Sequence, residues 1–140
     1  MRTTRFENLV LKSDTALNDS DKTFTVPAGK QWWIKSIYAS LVSTATVGNR
    51  QLDVLFTDAS DVPICKAVAG AVQAGGVTRA ICFAPLNPQE TGFTNTLMYR
   101  AIPDNLVLSA GYKVRVYDSA AIDAAADDMT VQMLVEERTE

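Results

Sequence analysis

The chain contains no histidine in its 140 residues. That gap removes the commonest catalytic base, so no Ser-His-Asp or Cys-His mechanism can be assembled within it. Zinc loses its usual ligand set as well, because the two cysteines, Cys65 and Cys82, stand apart in sequence and outside any C-x-x-C spacing. Both thiols are expected to be reduced and to sit within or beside the core, where free cysteine packs as a small hydrophobe. A disulfide requires that their two strands be neighbours.

Basic charge is scarce too. Lys and Arg number 13 against 16 Asp and Glu, a net charge of −3. The pI is 4.9, and Glu136, Glu137 and Glu140 make the C-terminal end acidic. General affinity for nucleic acid needs Lys and Arg concentrated on one face; here Arg2 and Arg5 form only a sparse basic end. The longest apolar runs, such as residues 67–72, fall far short of the roughly 20 residues a membrane helix requires. The opening MRTTRFENLV has no apolar stretch of signal-peptide kind. The expectation is a soluble protein made in a cytoplasm, with no nucleic-acid or membrane partner and no cofactor.

What remains is ordinary globular composition, 47% apolar and 21% charged, in a length that buries one core without disulfides or metal. Period-2 alternation recurs, and no window keeps apolar residues at helical spacing without an interrupting glycine or proline. QLDVLFT sets Leu52, Val54 and Phe56 on one face, and GYKVRVYD sets Val114 and Val116 against Lys113, Arg115 and Tyr117. GVTRAICFA and DMTVQMLVEE read the same way. Weaker strands are predicted over residues 8–11, 23–26, 63–68 and 96–102. Turn residues separate them at short intervals. The fold class is therefore all-β: an antiparallel β-sandwich, jelly-roll-like, of about eight strands, with an immunoglobulin-like sandwich as the second choice. Residues 1–22 are expected to be an N-terminal arm or edge strand and 23–140 a single sandwich domain. DSAAIDAAADD, residues 118–128, reads as a loop with one helical turn.

Two corners echo each other, VPAGK and LSAGY. In the first, Pro27 is expected at the second position of a type I turn, with Gly29 at positive φ re-entering the sheet. Candidate chemistry is sparse. Asp58 with Asp61, or Asp127 with Asp128, could be nominated as glycosidase carboxylates, but both pairs sit where aspartate serves turns. Asp118, Asp123, Asp127 and Asp128 crowd one loop, yet they lack EF-hand spacing and have alanines between them, so a solvated loop is expected. VPAGKQ lacks the earlier glycine and the Ser/Thr of a phosphate-binding loop.

The paired tryptophans carry more. Trp32 and Trp33 are adjacent in a strand, so their side chains must face opposite sides. Trp32 and Ile34 fall in one frame but Ile37, Ala39 and Leu41 in the other. A bulge near Lys35 and Ser36 would unite the two sets on one face, leaving Trp33 outward beside Lys35. An outward Trp stacks on sugars or lies against another subunit, and subunit contact is the favoured expectation.

The segments TFTVPAGKQWWIKSIYASLVSTATVGNRQL and LVLSAGYKVRVYDSAAIDAAADDMTVQMLVEE resemble small virion structural proteins of tailed bacteriophages. The resemblance covers residues 23–57 and 106–137, with a looser middle, and rests on turn and strand patterns, not on a chemical motif. It implies a jelly-roll-like protein displayed many times on a particle and assembled in the bacterial host cytoplasm. The first expectation is a capsid decoration protein that binds the major capsid protein as a homo-oligomer, trimer favoured. A neck, tail or fibre component, or a carbohydrate-binding module, is the alternative. No enzymatic role is expected. Trp33, Lys35, Tyr117, Arg2 and Arg5 are the candidate contact residues; no catalytic, cofactor or metal residue is nominated.

Overall fold

The computed structural model describes residues 8–140, so Arg2 and Arg5 lie outside the described residues. Among these residues there are ten strands, β1 (Leu9–Asn18), β2 (Lys22–Thr25), β3 (Lys30–Val42), β4 (Leu52–Thr57), β5 (Pro63–Val68), β6 (Thr78–Ala84), β7 (Leu97–Ala101), β8 (Val107–Leu108), β9 (Lys113–Asp118) and β10 (Asp128–Thr139). No helix long and apolar enough to cross a membrane is among them.

The antiparallel pairings β1 with β10, β2 with β9, β3 with β6 and β4 with β5 are nested in the chain. They describe one long ribbon, doubled back and then rolled. Rolling joins β10 to β3 in one sheet and β9 to β4 in the other, giving the orders β1-β10-β3-β6-β7 and β2-β9-β4-β5, with β8 added beside β3. This is a jelly roll. The count exceeds the expected eight by two, the two-residue β8 being one with no prediction behind it, while β1 lengthens the strand predicted over residues 8–11 to Asn18 and forms an edge of the larger sheet. One pairing departs from the antiparallel rule, since β7 lies parallel to β6.

The core fills the space between the sheets. Val54, Phe56, Val114 and Val116 from the smaller sheet meet Ile34, Ile37, Leu41, Phe83, Met129 and Met133 from the larger, all fully buried. Each such side chain contributes about 1.5–3 kcal/mol relative to exposure. The register of β3 explains how its inner face stays apolar: Leu134 pairs with Ser36 but Val135 with Ile34, leaving Lys35 as the extra residue of a bulge. The alternation slips by one at that point. Trp32, Ile34, Ile37, Ala39 and Leu41 consequently all face inward, and Trp32 is 2% exposed.

The proline corner differs from expectation by one residue. The Lys30 N–H donates to the Pro27 carbonyl and the Tyr112 N–H to that of Ser109, which puts Gly29 (φ 73°) and Gly111 (φ 85°) at the third position. That position demands positive φ in a type II turn, and glycine supplies it without a Cβ clash. The two corners are also bonded to one another, Val26 N–H to Tyr112 O and Gly111 N–H to Val26 O, both at 2.9 Å. Cys65 on β5 and Cys82 on β6 belong to different sheets and are free thiols. Burial pushes the Cys65 thiol up.

Candidate functional site

The loops β1–β2, β3–β4, β5–β6 and β9–β10 meet at one end of the sandwich, because Asn18 pairs with Met129, Val42 with both Asp128 and Thr78, and Leu52 with Asp118. They bring together side chains that the sequence scatters. Arg50 is fully buried there, its backbone fixed by reciprocal hydrogen bonds with Gln73 at 2.8 Å. Its guanidinium uses every N–H: Nε to Asp127 Oδ2 at 2.8 Å, Nη2 to Asp127 Oδ1 and Thr44 Oγ1, and Nη1 to the carbonyls of Thr46 and Gly48. The fork-on-fork pair with Asp127 is the strong, geometrically specific kind.

Asp127 also accepts the Thr44 N–H at 2.7 Å. Burial works to raise its pKa, but Arg50 and the Thr44 donors outweigh it and hold the carboxyl below the usual range. The Thr44 hydroxyl lies 2.9 Å from Asp123 Oδ2 and 3.0 Å from Asp127 Oδ1, one proton between two carboxylates. Thr46 Oγ1 donates to Asp123 as well.

Two further aspartates complete the cluster. Asp118 Oδ1 accepts the N–H groups of Gln51 and Ala120, each at 3.0 Å. Its Oδ2, and both carboxylate oxygens of Asp19, are buried and accept no hydrogen bond. Desolvation, then the neighbouring Asp118 and the charge of Asp127, push Asp19 up to about 8, against the pull of Arg50. The solvated loop expected over residues 118–128 is therefore corrected: Asp118 and Asp127 are buried, at 5% and 0% exposure. The single helical turn is present, closed by Asp127 N–H to Asp123 O at 2.7 Å. Asp19 and Arg50 had no signal of their own, since one sits in a polar stretch and the other follows a Gly-Asn turn. By contrast, Asp58 is a turn residue, accepting the N–H groups of Ser60 and Val62.

Of the residues nominated for contact, Trp33 and Lys35 are brought together as expected, and Tyr117 lies apart from them. Trp33 is half-buried on the outer face of the larger sheet, with Lys35 Nζ 3.3 Å from the centre of its ring and the Arg138 guanidinium 6.0 Å away. Tyr117 lies on the outer face of the smaller sheet, under Arg115 at 4.3 Å and Lys66 at 5.6 Å. The two aromatic side chains thus occupy opposite sides of the sandwich.

The two outer faces differ in chemistry. That of the smaller sheet mixes charged residues, Lys66, Lys113 and Arg115, with Leu55, Val68 and Tyr117, and holds a depression of about 300 Å³ lined by Thr23, Leu55, Thr57, Asp61, Lys113 and Arg115. On the larger sheet the register aligns Ser13, Gln132, Tyr38, Cys82 and Tyr99 in one row across its strands. The rows beside it include Leu11 paired with Leu134, and Trp33 paired with Val107. Leu11, Tyr38, Tyr99 and Val107 are exposed by 57%, 47%, 40% and 49%.

No family model matches the sequence and no curated protein matches it. A solved structure of infectious bursal disease virus, Gx strain, aligns with 92% of this chain at 10% identity and a TM-score of 0.36. The chain spans 32% of that structure's chain. The strand order itself defines the class: a single jelly-roll β-sandwich.

Proposed function

We propose that this chain is a structural protein of a virus particle, and within that class a head-decoration protein of a tailed bacteriophage that binds the major capsid protein and stabilises the shell. The carrying observation is the outer face of the larger sheet, where Leu11 on β1, Tyr38 on β3, Tyr99 on β7 and Val107 on β8 stand in solvent, with Leu134 of β10 and Cys82 of β6 on the strands between them. Contiguous exposed apolar surface on a soluble sandwich marks an interaction face, and aromatic residues are favoured at the centres of such faces. Jelly rolls serve in capsids and in lectins, so fold alone does not choose between them. The resemblance of residues 23–57 and 106–137 to phage virion proteins favours the particle.

The sugar-binding reading has less behind it, because Lys35 covers a face of Trp33 on which a sugar ring would stack. Copies of the chain are proposed to assemble on the shell, trimers being the favoured state, and the reading requires no catalytic group. The test is saturable binding of purified protein to emptied heads of the parent phage, with immunogold labelling of intact particles. Saturation and labelling over the head support the decoration role. Labelling confined to the neck or tail moves the assignment there, and no binding to any particle overturns it.

A further inference from the structure

We infer that Asp19, Asp118 and Asp127 form a binding site for one divalent cation of the calcium kind. Carboxylate oxygens of the three lie within 4.8 Å of one another. Oxygens that share one calcium ion at about 2.3–2.6 Å stand no more than about 5 Å apart. The spacing meets that limit.

Acidic clusters are common on protein surfaces, but this one is interior. Asp19 is 3% exposed and neither of its oxygens accepts a hydrogen bond; Asp118 Oδ2 is in the same position. Buried polar atoms are almost always partnered, and those that are not point to an ion or other ligand. Asp127 Oδ2 is engaged by a single donor, Arg50 Nε, and keeps a lone pair for a third ligand. Asp118 Oδ1 is meanwhile fixed by two backbone N–H groups, so the free Oδ2 is held in place before any ion arrives.

Charge selects the valence. A cation entering the site takes the place of the proton that Asp19 holds; the three carboxylates then carry −3 and Arg50 returns +1, leaving −2 in a buried site, which one divalent ion neutralises. Donor chemistry selects the kind of ion, since the site offers only carboxylate oxygen and no nitrogen or sulfur, which suits alkaline-earth cations over zinc or copper. Magnesium holds several waters in a strict octahedron, whereas calcium accepts protein oxygens in flexible number. An interior site built from three carboxylates fits calcium better. The ion would tie the β1–β2 loop to both ends of the β9–β10 loop.

The experiment is calorimetric titration of the full chain, stripped with EGTA, with CaCl2 and separately MgCl2, beside thermal unfolding at 0 and 1 mM calcium. One calcium per chain is expected, with a rise in Tm of several degrees and a weaker response to magnesium. Asp19→Asn keeps the shape of a neutral carboxyl, so it folds, but it loses the calcium response. Asp118→Asn loses it as well, and Asp128→Asn, at the first residue of β10 and outside the cluster, retains it. Absence of both heat and Tm shift in the wild-type chain at 5 mM calcium overturns the site. So does an Asp19→Asn or Asp118→Asn protein that responds like the wild type.

Discussion

Removing the Arg50 guanidinium tests how the loop end is held. In Arg50→Met the apolar stem is kept but Asp127 is left as a buried charge, and the carbonyls of Thr46 and Gly48 lose their donors. Breaking a buried pair from one side costs about 3–5 kcal/mol. A domain of 140 residues has a stability of roughly 7–21 kcal/mol at about 0.05–0.15 kcal/mol per residue, so the variant folds but loses a large share of its margin. Adding Asp127→Leu removes the orphaned charge. The double variant still leaves the Thr44 N–H without its acceptor, a cost of about 1–3 kcal/mol, and is therefore expected to be more stable than Arg50→Met alone. The assay is urea unfolding at pH 7.5 in EGTA, followed by tryptophan fluorescence, with both single variants and the double one forming a cycle. The Arg50→Met deficit also shrinks as pH falls, because a protonated Asp127 needs no counter-charge. A loss under about 1 kcal/mol for Arg50→Met, or a double variant as unstable as the sum of the singles, refutes the reasoning.

Other consequences are open to measurement. Trp32→Ala should cost about 3–5 kcal/mol, as for a large core side chain, and Trp33→Ala only about 1 kcal/mol because its ring is half-exposed under Lys35; urea midpoints compare them. Deleting Lys35, the extra residue of the bulge, leaves Trp32, Ile34, Ile37, Ala39 and Leu41 in one unbroken alternation against an unchanged β10 register, so the product should still give a sharp unfolding transition by circular dichroism. The Trp32 indole donates to Glu137 Oε2 at 2.7 Å, and that bond, then the nearby Lys12 charge, holds the Glu137 carboxyl below its ordinary 4.5 against some desolvation. A depressed folded pKa stabilises above the ordinary value and the contribution disappears as pH falls through the depressed one; Glu137→Gln should flatten that part of the stability curve on the acid side of the ordinary 4.5. Tyr38→Asp should weaken attachment to heads at least tenfold in a sedimentation assay while leaving Tm within a few degrees.

Most of the sandwich was legible because alternation is a local signal. Leu52, Val54 and Phe56, or Val114 and Val116, announce an inner face within six residues, and the frame change between Ile34 and Ile37 required a bulge at Lys35. The parallel β7 was not legible, since period-2 patterning carries no strand direction. Nor could it say which sheet a strand joins: Trp33 and Tyr117 both read as outward, but only the rolled pairing shows that they look in opposite directions. The loop-end cluster was hidden for a related reason. Asp118 and Asp127 stood among alanines that mark neither inside nor outside, and their partners come from 77 and about a hundred residues away, Arg50 being 77 positions from Asp127. The one available hint was positional: Asp19, Asp118 and Asp127 each flank a strand, at ends that a jelly roll gathers on one side.

The nested pairing has a practical corollary for engineering. Its outermost pair sets the start of β1 against the close of β10, with the Glu137 N–H bonded to the Asn8 carbonyl at 2.9 Å. The loop-end cluster lies at the other extremity of those same two strands, where Asn18 faces Met129. A short linker joining Glu140 to Asn8, in a chain cut to begin at Asn8, should therefore be tolerated, with new ends opened elsewhere, as in a circular permutant. Any peptide grafted to either end of the described chain emerges from the pole opposite the aspartates, which gives a displayed cargo one defined direction of projection.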